Sequence, residues 1–187
     1  MNSPYASLFS LYPKQGGTPP VLTIDAGVTL RFAKGNGMLI GASTSLPGSL
    51  VANGTAQKPI VFTSASATPA AGDWTGIKFQ GTSSPANSMQ YVTVDYAGGS
   101  CSCAGSSCHP GNVDDAAIVF YSWQPPSEFL QNSTIAHSAN FGINRGWTSD
   151  AQAPDFMATN TFISLAGCKQ TMPLPTTGGC PTSPSCP

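Results

Sequence analysis

Charge is what this sequence has least of. Seven Lys and Arg and eight Asp and Glu are spread over 187 residues, a charged share of 8% where soluble domains usually carry about 25%. With a formal net charge of −1 and no basic run, the chain has no electrostatic footprint for DNA, RNA or anionic lipid. Its surface must instead be built from Ser, Thr, Asn, Gly and Ala. Long apolar runs are also missing: none approaches the roughly 18 residues that cross a bilayer, so no membrane span is expected. The opening stretch MNSPYASLFSLYPKQGG lacks the basic region and apolar run of a secretory signal. It reads as the edge of a fragment from a longer secreted protein. No segment keeps a 3.6-residue apolar period, which excludes a helical fold. No C-x-x-C opens a helix, so a thiol redox centre has no basis. No G-x-S-x-G elbow is present, so a hydrolase triad has none either.

What is abundant is the short β-branched or aromatic run punctuated by Gly, Ser, Asn and Pro. The runs include 21–24, 28–32, 60–63, 74–79, 91–96, 116–121, 132–136, 141–146 and 159–163. Two types alternate. WTGIKF, AAIVFY and FGINRG form one series, and each is followed by a member of a second, QYVTVDYA, LQNSTIAHS and MATNTFISL. Matching Ile118 to Ile143 gives an interval of 25 residues, Ile135 to Phe162 gives 27, and Ile77 to Ile118 gives 41. The last interval requires an insertion, placed at 98–113. Short strands recurring at 20 to 30 residues predict an all-β solenoid, in which each coil buries its inward side chains on the coils above and below. Val28, Leu30, Phe32, Ile60, Phe62, Ile77, Phe79, Val92, Val94, Ile118, Phe120 and Ile135 are the expected inward ladder. The domain expectation is an N-terminal cap or linker over 1–20, a β-helix over 21–168, and a Pro- and Cys-rich tail over 169–187 packing as a cap.

The segments LTIDAGVTLRFAKGNGMLIG, GSLVANGTAQKPIVFTS, GDWTGIKFQ and MQYVTVDYAGG closely resemble the right-handed parallel β-helix repeats of secreted and cell-surface bacterial proteins, notably myxobacterial ones. The most specific parts are a G-x-L-x-A-x-G-T-x-x-x-P-I-x-F-T-S run and a W-x-G-I-x-F strand. The resemblance implies a pectin-lyase-like fold and an extracellular location, and carries no particular activity.

Six cysteines favour an oxidising compartment. Cys101, Cys103 and Cys108 fall in the insertion, and Cys168, Cys180 and Cys186 near or in the tail. With three in each group, complete oxidation within one chain requires at least one bridge between them. The C-x-C-x4-C-H order ending at His109 offers zinc ligand types, but structural zinc sites present separated pairs. The cluster therefore reads as a disulfide staple, with no metal and no cofactor.

Candidate catalytic residues are few. Hydrolases on this fold use clustered Asp residues with a nearby His, and Asp95, Asp114, Asp115 and His137 are the only candidates for general acid and base. The alignment places Asp95 level with Ala136, in a different strand series from Asp114 and Asp115. VDYAG, HSANFG and INRG stand where hydrolase motifs of the N-T-D, G-H-G and R-I-K kind would be sought. The leading reading is a non-catalytic extracellular structural or adhesive module of a larger surface protein or filament. The alternatives are a polysaccharide hydrolase or lyase and a carbohydrate-binding module that stacks sugars on exposed aromatics. Expected partners are polysaccharide or another copy of the chain stacked end to end.

Overall fold

The computed structural model describes residues 8–81, 84–99, 116–121, 123–151 and 153–173. The chain winds through three parallel sheets in strict rotation. The first sheet holds β1 (Leu8–Leu11), β4 (Gly37–Ile40), β7 (Gly76–Gln80), β10 (Ala116–Tyr121) and β13 (Phe141–Gly146). The second holds β2 (Val21–Ile24), β5 (Ser49–Asn53), β8 (Ser88–Gln90) and β11 (Leu130–Gln131). The third holds β3 (Thr29–Phe32), β6 (Ile60–Ser64), β9 (Val92–Asp95), β12 (Thr134–Ala136) and β14 (Thr161–Ile163). Every strand pairs only with its counterparts one coil away, which makes a parallel β-helix. Among the described residues four coils are complete, and the fifth has no strand in the second sheet.

The register is the one that the repeat predicts. Ile118 lies beside Ile77 on one side and Ile143 on the other. Ile135 lies beside Phe162, and Ala136 beside Asp95. Coil lengths are unequal because the connecting loops differ, while the strands keep their columns. Inward columns are apolar from coil to coil: Phe9, Met38, Ile77, Ile118 and Ile143 in the first sheet, and Leu30, Phe62, Val94, Ile135 and Phe162 in the third. Most of these side chains are fully buried, each contributing about 1.5–3 kcal/mol. Phe79, Phe120 and Phe156 stack face to face at 5.4 and 5.0 Å, with Phe129 set edge-on against all three.

The quoted motifs acquire physical reasons. In GDWTGIKF, the Trp74 ring is fully buried and stacks on Phe32 at 4.3 Å, and its indole N–H donates to the Asp95 carbonyl at 2.7 Å. Gly76 has φ +105°, and a Cβ there would lie 2.5 Å from the Ala117 carbonyl of the next coil. Ile77 and Phe79 then enter the core. In GSLVANGTAQKPIVFTS, Leu50, Ala52, Ile60 and Phe62 are buried. Between them, Thr55 and Lys58 close the turn through reciprocal backbone hydrogen bonds of 3.1 Å.

Three expectations change. Val28 shares the column of Ile60 but is 40% exposed, because among the described residues no strand lies beyond the first layer to cover it. The runs expected as strands over 91–96 and 132–136 start at residues of positive φ, Tyr91 (49°) and Asn132 (52°). Those residues are corners between the second and third sheets. Of the stretch expected as a cap over 1–20, residues 8–11 form the first strand of the first sheet.

The second inward column of the first sheet runs Leu11, Ile40, Phe79, Phe120 and ends on Arg145. This guanidinium is buried at the closing end of the core. Its Nε donates to the Thr171 carbonyl at 2.6 Å and its Nη1 to the Pro154 carbonyl at 3.2 Å, and it lies 5.9 Å from the Trp147 ring centre. Burial pushes its pKa down, while the charge of Asp155 opposes the shift.

Candidate functional site

Asp95 ends β9, and His137 follows β12 in the adjacent coil. Because Asp95 and Ala136 are register partners, the parallel pairing delivers the two side chains to one corner. The His137 Nδ1 lies 2.8 Å from the Asp95 Oδ1, and the Tyr96 ring stacks on the imidazole at 4.9 Å and 11°. The corner faces solvent: the side chain of His137 is 42% exposed and that of Asp95 21%. Tyr96, His137 and Ser164 all adopt positive φ, between 46° and 59°, so one corner geometry is repeated on three successive coils. Non-glycine residues seldom accept that conformation. Here the neighbouring coils hold it in place: Tyr96 N–H donates to the Ala136 carbonyl, and His137 N–H to the Ile163 carbonyl.

A carboxylate that fixes one imidazole nitrogen is the orienting half of a general base. Of the candidate acids, Asp114 and Asp115 lie outside the described residues, so the pair available for description is Asp95 and His137. Neither lines any of the three surface cavities below. Among the described residues no group of three or more His, Cys, Asp or Glu side chains is arranged to hold a metal ion. Cys168 is disulfide-bonded. The other five cysteines, and with them the expected insertion-to-tail staple, lie outside the described residues.

Polar side chains elsewhere bind coil to coil. The Asn87 Oδ1 accepts from Leu50 N–H, the Ser133 hydroxyl from Val92 N–H, and the Asn160 Oδ1 from Ser133 N–H. Asp73 accepts from the Ser64 hydroxyl at 2.6 Å and from Ala70 N–H at 3.1 Å. These two bonds, with Lys34 nearby, hold its carboxyl below the usual range against a smaller opposing effect of burial. A cavity of about 460 Å³ opens beside it, lined by Lys34, Ser64, Ser66 and Thr68.

The sequence reading missed two features. On the outer face of the second sheet, Asn53, Gln90 and Gln131 occupy one register column. With Ser88 and Glu128, the two glutamines edge a groove of about 450 Å³. Strands of two and three residues, too short to read as periodic runs, carry both glutamines. The second feature is an apolar recess of about 580 Å³ at the first coil, lined by Phe9, Leu22, Ile24, Leu30, Phe32 and Met38 among others. Each of these residues was legible as apolar, but not that the recess stays open.

No curated protein and no solved structure matches the chain significantly. A family model described as a pectate-lyase-like β-helix domain matches residues 10–106, just over half of the sequence. That span covers the first three coils, with both quoted motifs, and the described remainder continues the same three-sheet winding. The chain therefore belongs to the pectate-lyase-like β-helix family, and its fold is the right-handed parallel β-helix.

Proposed function

We propose that the chain is a non-catalytic, extracellular structural or adhesive β-helix module of a larger surface protein or filament. The observation that carries this reading is the Asp95, Tyr96 and His137 corner. The described residues best suited to catalysis are spent on joining two coils at a solvent-facing position. A hydrolytic site needs a cleft in which a second carboxylate faces the first across the scissile bond. The disulfide at Cys168 and the uncharged polar surface support an extracellular setting, since disulfides persist in oxidising compartments. The test is an assay of the purified chain on polygalacturonate and a panel of neutral and acidic polysaccharides. No turnover is expected. Turnover that disappears in Asp95→Ala or His137→Ala would replace this reading with the polysaccharide hydrolase or lyase.

A carbohydrate-binding role has its own support in the groove beside Gln90, Gln131 and Glu128. Amides and a carboxylate lining this groove offer the donors and acceptors that sugar hydroxyls need. A glycan-array signal that vanishes in the Gln90→Ala, Gln131→Ala double variant would favour this reading over a purely structural one.

A further inference from the structure

The two ends of the coil are built differently. At the C-terminal end the core is closed: Arg145 fills the last inward position of its column, and Gln170 and Thr171 lie across β13, with the buried Phe156 packed below. Among the described residues the second sheet has no strand in the fifth coil, so the described part of this end presents no complete ring of three strand edges. At the other end the ring is complete. β1, β2 and β3 are each the outermost strand of their sheet, and among the described residues no strand pairs the outer side of β2 or β3. The carbonyls of Val28 and Phe32 bond toward the next coil. In a parallel strand the intervening residues then direct their backbone groups the other way, so Thr29 and Arg31 aim theirs at the open edge. The apolar recess lies within this ring, with Phe9, an inward residue of the first coil, 52% exposed and Val28 40% exposed.

Exposed edges together with an uncovered core call for an occupant that brings strands in the same triangular arrangement. A second copy in head-to-tail order would have to offer its C-terminal end, whose described strands lack that arrangement. We propose that two copies associate through their first coils about a two-fold axis perpendicular to the coil axis. Such a rotation reverses the sense of winding, so facing edges run antiparallel. β1 then faces its own counterpart, and β2 faces β3 of the second copy. All three strands are four residues long. A register that sets inward residues against inward residues places Leu22 opposite Phe32, Ile24 opposite Leu30 and Thr23 opposite Arg31. Exposed Asp25 then lies diagonal to exposed Arg31 of the other copy, and the two-fold creates this opposite-charge contact twice. An isologous contact of this kind closes at two copies. The assembly does not rest on the functional reading.

Sedimentation equilibrium of the full chain from about 1 to 100 μM tests the proposal. The expected species is a dimer that grows no further with concentration. A monomer throughout the range overturns the proposal, and so does an open-ended series of higher oligomers, which is the signature of head-to-tail stacking. Charge reversal provides the second arm at exposed positions that the monomer fold does not use. Arg31→Glu should weaken the dimer about tenfold, the effect of roughly 1.4 kcal/mol, and adding Asp25→Lys should restore it. A dimer indifferent to both changes overturns the assigned geometry.

Discussion

Arg145 occupies a position that is leucine, isoleucine or phenylalanine in the other coils, and the difference has a physical reason. At this position of the fifth coil the inward side chain meets the polar backbone of the following chain, and a guanidinium satisfies the Thr171 and Pro154 carbonyls together. Arg145→Ala should lower stability by about 3 kcal/mol, from the cavity left and the orphaned acceptors, measured by urea denaturation. Asp73 is a second informative residue. Its carboxyl is held low in the folded chain, so its contribution is present above the ordinary carboxylate pKa of about 4 and is lost as pH falls through the lower folded value. Asp73→Ala should therefore cost about 1 kcal/mol or less at pH 7, since the group is partly exposed. The gap from the parent should narrow in melts recorded below pH 3. The composition shows both residues only as scarce charges, because the partners that give them meaning lie on other coils.

At the scale of elements, the strands of the first and third sheets were legible because their apolar residues recur at matching positions of runs repeated along the chain. Matching Ile77, Ile118 and Ile143 recovers the observed register. The second sheet was harder to read: β8 and β11 have three and two residues and one buried apolar side chain each, Met89 and Leu130, so no alternation shows. The corners of the coil were not read at all, since Tyr91, Asn132, Tyr96 and His137 are ordinary residues whose positive φ is imposed by neighbouring coils. Gly76 is the converse case, a glycine that the sequence displays inside W-x-G-I-x-F and that the packing of β7 against β10 requires. Gly76→Ala should destabilise by about 2 kcal/mol or more, from the positive φ together with the clash against the Ala117 carbonyl. The mean-residue circular dichroism of any folded fraction should be unchanged, because the strands themselves are not altered.

For the whole molecule, stability is a chain of nearest-coil interfaces, so an unprotected end is its weakest place. The first coil, with Phe9 and Val28 exposed, should exchange its backbone amides fastest at low protein concentration. It should gain protection as concentration rises through the dimer range, as hydrogen exchange would record. At the other end, the disulfide of Cys168 ties down the segment that follows β14. Reduction should lower the urea midpoint by an amount corresponding to about 2–4 kcal/mol. Non-reducing peptide mapping that finds Cys168 joined to Cys101, Cys103 or Cys108 would establish the expected staple. A bridge to Cys180 or Cys186 would confine Cys168 to the tail group.

The fold class, the two long strand series, their register and most of the core follow from local information: alternating apolar side chains, strand length, and a repeat interval too regular for a sandwich. The same is true of the level position of Asp95 and Ala136. What depended on three dimensions was which side chains meet and which ends close. Asp95 reaches His137 because parallel pairing places residues 42 positions apart side by side. Arg145 is buried because the following chain folds over it, and Val28 is exposed because, among the described residues, no strand lies beyond β3 in its sheet. Periodicity is a property of one strand and can be read along the chain. Contact between coils depends on loop lengths and corner conformations, which leave no comparable period in the sequence.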